Sequence, residues 1–419
     1  VRSYSQLHAR LMRLWNYNQP ATTLLRARSF LQRFPQAANV WSLLGRLLTS
    51  MARYAEARSA VATSLRLRAE TGKAPIAWTY VTMGDSYEQA GDFETALAWY
   101  RRALELNSDD ADIYFELGYL LEQSGRLDEA EELLRQPRKC TEGDRDEPWV
   151  VLARVLRSKG RFAEAERCLH KALKIDADNP RAKRVLADVR TVLAEQRRDI
   201  HHRGVAISSA DAHERMNRQW HEDKPAHNVR LARAYLAQSP DNAAVWLSLG
   251  YELNVLSSYE EARDALRTSI RLREEQGDAP YRGAFIAIGH AYRWAGDHAS
   301  ARTWLNRAVE AEPGNAGPHI FLGALLAKSG QFEEAKAAHQ RGTTCEEGCP
   351  EEAWHNIGLA LRSQERFVEA ADCFERALAI DCNYTAAQDA LADVTLAIRL
   401  ARRRHTPARP ARADLAAIG

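Results

Sequence analysis

No stretch of the 419 residues holds the roughly 18 consecutive apolar positions that a membrane-crossing helix needs. The opening, VRSYSQLHARLMRLW, has no secretory signal core. Cysteine is scarce: six residues, at 140, 168, 345, 349, 373 and 382, which excludes a disulfide scaffold and points to free thiols in the cytoplasm. Catalytic signatures are missing too. There is no Gly-rich phosphate loop, nucleophile elbow, metalloprotease His pair or kinase signature. The many Asp and Glu are scattered, with no apolar pocket to raise a pKa, so neither an enzyme nor a cofactor is expected. Cys345 and Cys349 are spaced Cys-x3-Cys, and five His (201, 202, 213, 221, 227) cluster in sequence. A zinc site takes four converging ligands in tight pairs, so no metal is expected. The chain opens on Val, so a processed or trimmed start is expected.

Charge of one sign is lacking as well. The 58 basic and 56 acidic residues leave a net +2, which does not argue for nucleic acid. The balance is uneven: residues 1–205 carry 33 Lys+Arg against 27 Asp+Glu, and residues 206–397 carry 19 against 28. The last 22 residues hold six Arg and one Asp. The two halves therefore attract each other or prefer different ligands, unless the difference is only drift of solvated surface.

What is present is one unit, repeated. From Trp78 to Asp109 the chain reads WTYVTMGDSYEQAGDFETALAWYRRALELNSD. Tyr80, Met83, Gly84 and Tyr87 make an apolar stripe at helical spacing, and Ala96, Tyr100 and Ala103 make another after Ala90-Gly91-Asp92. A Gly inside a helix costs about 1 kcal/mol relative to Ala, which makes sense where a partner helix comes too close for a methyl group. Two such helices bury too little alone, so the unit must stack on copies of itself.

The unit resembles the tetratricopeptide repeat. Counting from Ala77 as position 1, Gly84 falls at position 8, Tyr87 at 11, Ala96 at 20, Tyr100 at 24 and Ala103 at 27. The resemblance covers roughly residues 4–398. It implies an all-α, right-handed helical-repeat solenoid, built as two five-repeat arrays each with a capping helix. A shift of 205 residues places Trp41 on Trp246, Gly84 on Gly289, Cys140 on Cys345 and Trp149 on Trp354 without a gap. The expected divisions are a first array with its cap at 1–198, a linker at 199–208, a duplicate array at 209–403 and a disordered basic tail at 404–419. One continuous superhelix and two solenoids hinged near Gly204 both fit that linker.

In such a stack the first helix of each pair lines the concave side. Its stripe gives Arg46, Asp85, Glu88, Asp112, Phe115, Tyr119, Glu122, Arg154 and Arg157 in the first half. This acidic, aromatic floor with arginines at both sides suits an extended peptide carrying basic and apolar side chains, unless these are ordinary solvated charges. The second half gives Tyr251, Asn254, Ile286, His290, Arg293, Ile320, His355 and Arg362, which suit a different ligand. The Lys and Asn of the family's two-carboxylate clamp are absent: those positions hold Ser42/Arg46, Val81/Asp85, Phe115/Tyr119 and Val150/Arg154. Acidic Cys loops recur at 139–143 and 344–348, where a helix is interrupted by Pro137 or Gly342, and each Cys reads as a plug or a contact.

The leading expectation is a cytoplasmic protein-interaction scaffold or adaptor that holds a peptide or helix of a partner protein, away from membranes. Two other readings stand beside it. One is nucleic-acid binding through Arg399, Arg402, Arg403, Arg404, Arg409 and Arg412, although no regular base-reading pair recurs per repeat. The other is self-association into a homodimer, one copy's groove holding another's tail. The stacking register carries its own test. Gly84→Leu and Gly289→Leu are each expected to lose about 1–3 kcal/mol by overpacking, read from urea unfolding midpoints.

Overall fold

The computed structural model describes residues 4–13, 16, 18–136, 140–201 and 224–405. Among these residues the chain forms 21 helices and no strand. After α1 (Tyr4–Arg13) and α2 (Pro20–Arg33), the helices run in pairs. They are α3 (Ala38–Ser50) with α4 (Tyr54–Glu70), α5 (Ala77–Gln89) with α6 (Phe93–Leu106), α7 (Ala111–Gln123) with α8 (Leu127–Leu134), and α9 (Glu147–Ser158) with α10 (Phe162–Ile175). Helix α11 (Pro180–His201) ends this series. The second series starts at α12 (Pro225–Leu236). It continues with α13 (Ala243–Val255), α14 (Tyr259–Glu275), α15 (Arg282–Trp294), α16 (His298–Ala311) and α17 (Ala316–Lys328). It ends with α18 (Phe332–Gly342), α19 (Pro350–Ser363), α20 (Phe367–Ile380) and the long α21 (Thr385–His405). Most of the expected linker, from 202, and the expected tail from 406 lie outside the described residues.

Local chemistry sets these boundaries. The Asp92 carboxylate accepts from Thr95 N at 3.2 Å and caps α6; Asp297 does the same for α16 from Ser300 N at 2.9 Å. Pro stands at the start of α2, α9, α12 and α19, where no backbone donor is lost. The 17-residue helices α4 and α14 both end before a Gly-x-Ala-Pro extension, residues 72–75 and 277–280, which Arg68 and Arg273 pin by donating to Ala74 O and Ala279 O at 2.7 and 3.0 Å. Glycine at position 84 is demanded by close approach: a Cβ there would lie 2.5 Å from Tyr100 Cε1, and one at Gly289 would lie 2.9 Å from Leu305 Cγ.

Both Cys loops tie back to the preceding inter-repeat turn. Ala111 N donates to Glu142 O at 3.0 Å, and Ala316 N donates to Glu347 O at 2.9 Å. Cys140 is buried with its thiol toward Ser108 O, and Cys345 faces Pro313 O and Arg341 O. Cys140 is packed in a buried cluster beside its interrupted helix, whereas Cys345 is only half-buried.

The arrays are joined at both ends, so neither an open superhelix nor a hinged pair describes them. Helix α11 packs on α12, and α21 packs on α2, which closes the series of helices into a ring. The same device serves both seams. Asp188, on α11, accepts from Ala226 N and His227 N at 3.3 and 3.2 Å, in the first turn of α12. Asp393, on α21, accepts from Ala21 N and Thr22 N at 2.8 and 3.1 Å, in the first turn of α2. Both carboxylates are fully buried, held by unpaired helix-start N–H groups and the positive end of the helix dipole. Around Asp393, Ala21 and Leu25 share one core with Phe374, Ala390, Val394 and Ala397, so the two ends of the chain bury surface together.

The hairpin turns of the two arrays also meet. Phe93 stacks on Trp294 with ring centroids 6.5 Å apart, and a Cβ at Gly91 would meet His298 Nε2 at 2.3 Å. The turn glycine of the fifth pair, Gly160, has φ +73°; its counterpart, Glu365, takes φ +64° without being glycine. That left-handed backbone is disfavoured for a side chain bearing a Cβ. Glu365 is held there by Arg53 at 2.7 Å and by Arg28, both from the other array.

Removing Asp393 tests the closure. Asp393→Ala leaves two buried N–H groups without their acceptor and the Arg362 guanidinium without its nearest counter-charge, at a cost of about 3–5 kcal/mol. Urea unfolding is expected to show that loss, and small-angle scattering a larger radius of gyration. Asp188→Ala, at the seam that the chain itself spans, is expected to destabilise comparably but to enlarge the particle less.

Candidate functional site

The first-half stripe gathers at α5, α7 and α9. Tyr100, fully buried on α6, places its hydroxyl 2.8 Å from Asp85 Oδ1 and 2.6 Å from Glu88 Oε2. One phenolic proton cannot satisfy two carboxylates, so one of the pair is stabilised by carrying a proton of its own. Burial pushes Asp85 up to about 7, with the Tyr100 bond and Arg46 opposing and Glu88 adding to the rise. Glu88 is raised for the same first reason. A third acid, Glu116 on α7, is pushed to about 8 by burial and by Asp85, Glu88 and Asp112. All three carboxylates remain partly exposed. Beside them the Arg46 guanidinium lies 5.9 Å over the Trp78 ring, and Phe115 stacks on Tyr119 at 5.7 Å.

Glu116 and Tyr100 were not among the expected site residues. Glu116 sits one position after Phe115, off the assumed stripe, and Tyr100 reads from the pattern as packing only. A usable signal was the spacing: Asp112 and Glu116 are one helical turn apart on α7 and bring a second acid toward the Asp85–Glu88 turn of α5.

Other expected floor residues are committed elsewhere. Glu122 is 1% exposed and holds Arg154 through contacts of 2.8 and 2.9 Å, while Arg154 also lies 5.5 Å over the Tyr119 ring. Arg157 is buried and donates to Asp188 at 3.0 Å, so it belongs to the α11–α12 seam and not to an open groove. Arg362, its counterpart, lies 4.0 Å from Asp393 at the closing seam. Glu122, Arg154, Arg157 and Arg362 are corrections to the open-groove expectation: a charge on the inner helix face is drawn to the nearest opposite charge when a cap helix or a neighbouring helix covers it. Asp112 accepts from Asp144 N at 2.8 Å and anchors the Cys loop.

The second-half set forms no comparable cluster. Burial lowers His290 to about 4, where it meets Phe321 edge-on at 4.8 Å. Burial first, then Arg362, lowers His355 to about 4; its Nδ1 lies 3.3 Å from the Tyr384 hydroxyl. Asn254 donates to Ala287 O at 3.0 Å, Arg293 stacks 4.5 Å over Trp294, and Tyr251 is exposed. Ile286 is half-buried and Ile320 buried. Among the described residues no group of three His, Cys, Asp or Glu has metal-holding geometry, and no helix is long and apolar enough to cross a membrane.

Five models of the tetratricopeptide repeat match the chain, over residues 36–109, 81–141, 146–189, 283–315 and 351–381, together about half of it. The human protein O-mannosyl-transferase TMTC1 is 22% identical over 234 residues, which are 56% of this chain and 23% of that protein. The chain thus spans about a quarter of the length of that curated relative. Among solved structures, yeast Tom70 aligns over 92% of this chain and 86% of its own, with 14% identity and a TM-score of 0.41. YrrB, described as a TPR protein with an unusual peptide-binding site, aligns over 44% of this chain and 98% of its own, with 19% identity and a TM-score of 0.33.

The acid cluster has a pH signature. Where a carboxylate is raised in the folded chain, the folded state holds a proton that the unfolded state has lost, so stability falls as pH rises. The contribution is full below about pH 4, the unfolded carboxylate range, and is lost as pH passes through about 7 for Asp85 and about 8 for Glu116. Urea midpoints of the native chain are expected to drop between pH 5 and pH 9, and to drop less in Glu116→Gln.

Proposed function

The chain belongs to the tetratricopeptide repeat family, whose members are protein-interaction scaffolds, and on that premise we propose that it is a non-catalytic adaptor. In this reading two arrays, 1–198 and 209–403 with residues 199–208 between them, form a rigid frame in the cytoplasm. A peptide or helical segment of a partner lies along α5 and α7, with its cationic side chains on Asp85, Glu88 and Glu116 and its apolar ones against Phe115 and Tyr119.

The observation that carries this reading is the crowding of three partly exposed carboxylates against one another. Burial raises Asp85 to about 7 and Glu116 to about 8 and pushes Glu88 up as well, outweighing the opposing charges of Arg46 and Lys328. A lysine or arginine supplied by a ligand adds further positive charge and makes charge-assisted bonds in a half-desolvated site. The helices are already packed, so ordering costs fall on the ligand alone. The second-half residues Tyr251, Asn254, His290, Arg293 and His355 offer no such attraction for a cation, which confines this ligand to one array.

Fluorescence anisotropy with labelled Lys/Arg-rich peptides containing Leu and Phe tests the proposal. Basic peptides are expected to bind more tightly as pH rises from 6 to 9, as the carboxylates ionise. The double variant Asp85→Asn/Glu116→Gln is expected to weaken them about tenfold or more, the loss of one charged contact of about 1.5–3 kcal/mol. Equal binding of Glu-substituted peptides, or no effect of the variant, would overturn it.

A further inference from the structure

We propose that the seam between the α3–α4 turn and helices α17–α19 is a binding site for a small amphipathic carboxylate, separate from the peptide surface. A cavity of about 240 Å³ lies there, between Met51 and Tyr54 of the first array and Ala324, Ala327, Ile357 and Leu359 of the second. It shares Tyr54, Lys328, Phe332 and Ser363 with a more open cleft of about 450 Å³, which gives it a mouth.

The duplication supplies an internal control. The ring contains this seam twice, and the other copy places the α13–α14 turn against α7–α9: a Cβ at Gly125 would lie 3.5 Å from Tyr259 Cδ2. Tyr259 in turn feels the charges of Glu122 and Arg154. At that seam the positions of Ala324, Ala327 and Leu359 are held by Tyr119, Glu122 and Arg154. Those three side chains make an ion pair and a cation–π contact with one another. At the second copy all three positions hold apolar residues, and the cavity lies there.

The same comparison gives the ligand's charge. Gln123, Glu131 and Leu134 of the other seam correspond to Lys328, Lys336 and His339 of this one. Two of the changes bring in a lysine; the third brings in His339, which burial holds neutral by lowering it to about 4, and all three line the cavity together with Arg362. No carboxylate is among its described lining residues. Neither lysine has a hydrogen bond or close ion pair among the described residues, although Lys328 feels the charge of Glu88 and Lys336 that of Glu369; Arg362 Nε and His339 Nδ1 are buried without a hydrogen-bond partner. His339 is only 4% exposed. Two lysines without a hydrogen bond above an apolar floor suit one anionic group on an apolar body. An engineered cavity of about 150 Å³ takes benzene, so this one takes on the order of ten heavy atoms, the size of octanoate.

Isothermal titration of the full chain with octanoate, octanol and octylamine tests this. Octanoate is expected to bind at least tenfold more tightly than octylamine, with octanol between them. Ala324→Tyr/Ala327→Glu/Leu359→Arg, which copies the other seam, is expected to abolish octanoate binding and keep the helical circular-dichroism spectrum. Lys328→Gln/Lys336→Glu leaves the cavity's volume and is expected to weaken octanoate at least tenfold while sparing octanol; it decides the matter if the filled variant does not fold. Octylamine binding as tightly as octanoate, no octanoate binding, or native affinity in Lys328→Gln/Lys336→Glu would each overturn the proposal.

Discussion

Asp188 and Asp393 each put a bare carboxylate out of reach of water, where burial alone would cost several kcal/mol. Each is offset by two N–H donors at a helix start and by an arginine of the preceding repeat pair, Arg157 or Arg362. Because the donors belong to the next array, the carboxylate is satisfied only when the arrays are docked. Everything else about the ring follows from that coupling. It fixes where α11 and α21 sit, brings the hairpin turns of one array against those of the other, and converts two stacks that would each expose a terminal apolar face into one body with none left uncovered at those joints.

A ring closed this way limits curvature. Repeat arrays stack through nearest neighbours and can ordinarily unwind or flex along their length. Here Phe93 against Trp294, and Arg28 and Arg53 on Glu365, add long-range restraints that a linear solenoid lacks. The strained left-handed backbone at Glu365 makes sense in these terms: its counterpart Gly160 is relaxed, but only a side chain with a carboxylate can reach the two arginines across the gap. The cost of the conformation is local, and the gain is a fixed distance between arrays.

Much of the fold was legible because its signals are local. Gly84 and Tyr100, the Asp92 cap and the Pro at helix starts specify helix pairs within a single repeat, and the 205-residue offset shows the duplication without reference to space. The closure was not legible. Asp188 reads as an unremarkable acid on a capping helix, and its N–H partners at Ala226 and His227 lie some 40 residues on, those of Asp393 some 370 residues back. For the same reason Arg157 and Arg362 looked like groove residues: their periodicity is right, and only the covering helix removes them. The acid cluster was half legible. Asp85 and Glu88 stood on the expected stripe, but the proton shared through Tyr100 and the third carboxylate at Glu116 depend on how α5, α6 and α7 approach one another.

The two halves keep the same residues where the fold needs them and differ where it does not, and that separation is itself informative. Asp188 and Asp393, Arg157 and Arg362, Gly84 and Gly289 are retained as pairs because each serves packing or closure at its own copy. Asp85, Glu88 and Glu116 face His290, Arg293 and Phe321 across the same offset, so a cluster that favours cations in one array has become neutral, basic and apolar in the other. The seam positions diverge in the same sense, from Tyr119, Glu122 and Arg154 to Ala324, Ala327 and Leu359. Loss of bulk in a packed interface forfeits contacts and leaves a void that costs stability. At the second copy the three positions hold smaller side chains, and Lys328 and Lys336 stand among the residues that line the opening. The clustered carboxylates lie on the array whose net charge is positive and the two cavity lysines on the array whose net charge is negative, so each is a local feature of its site, and the closed ring holds the two sites at fixed distance.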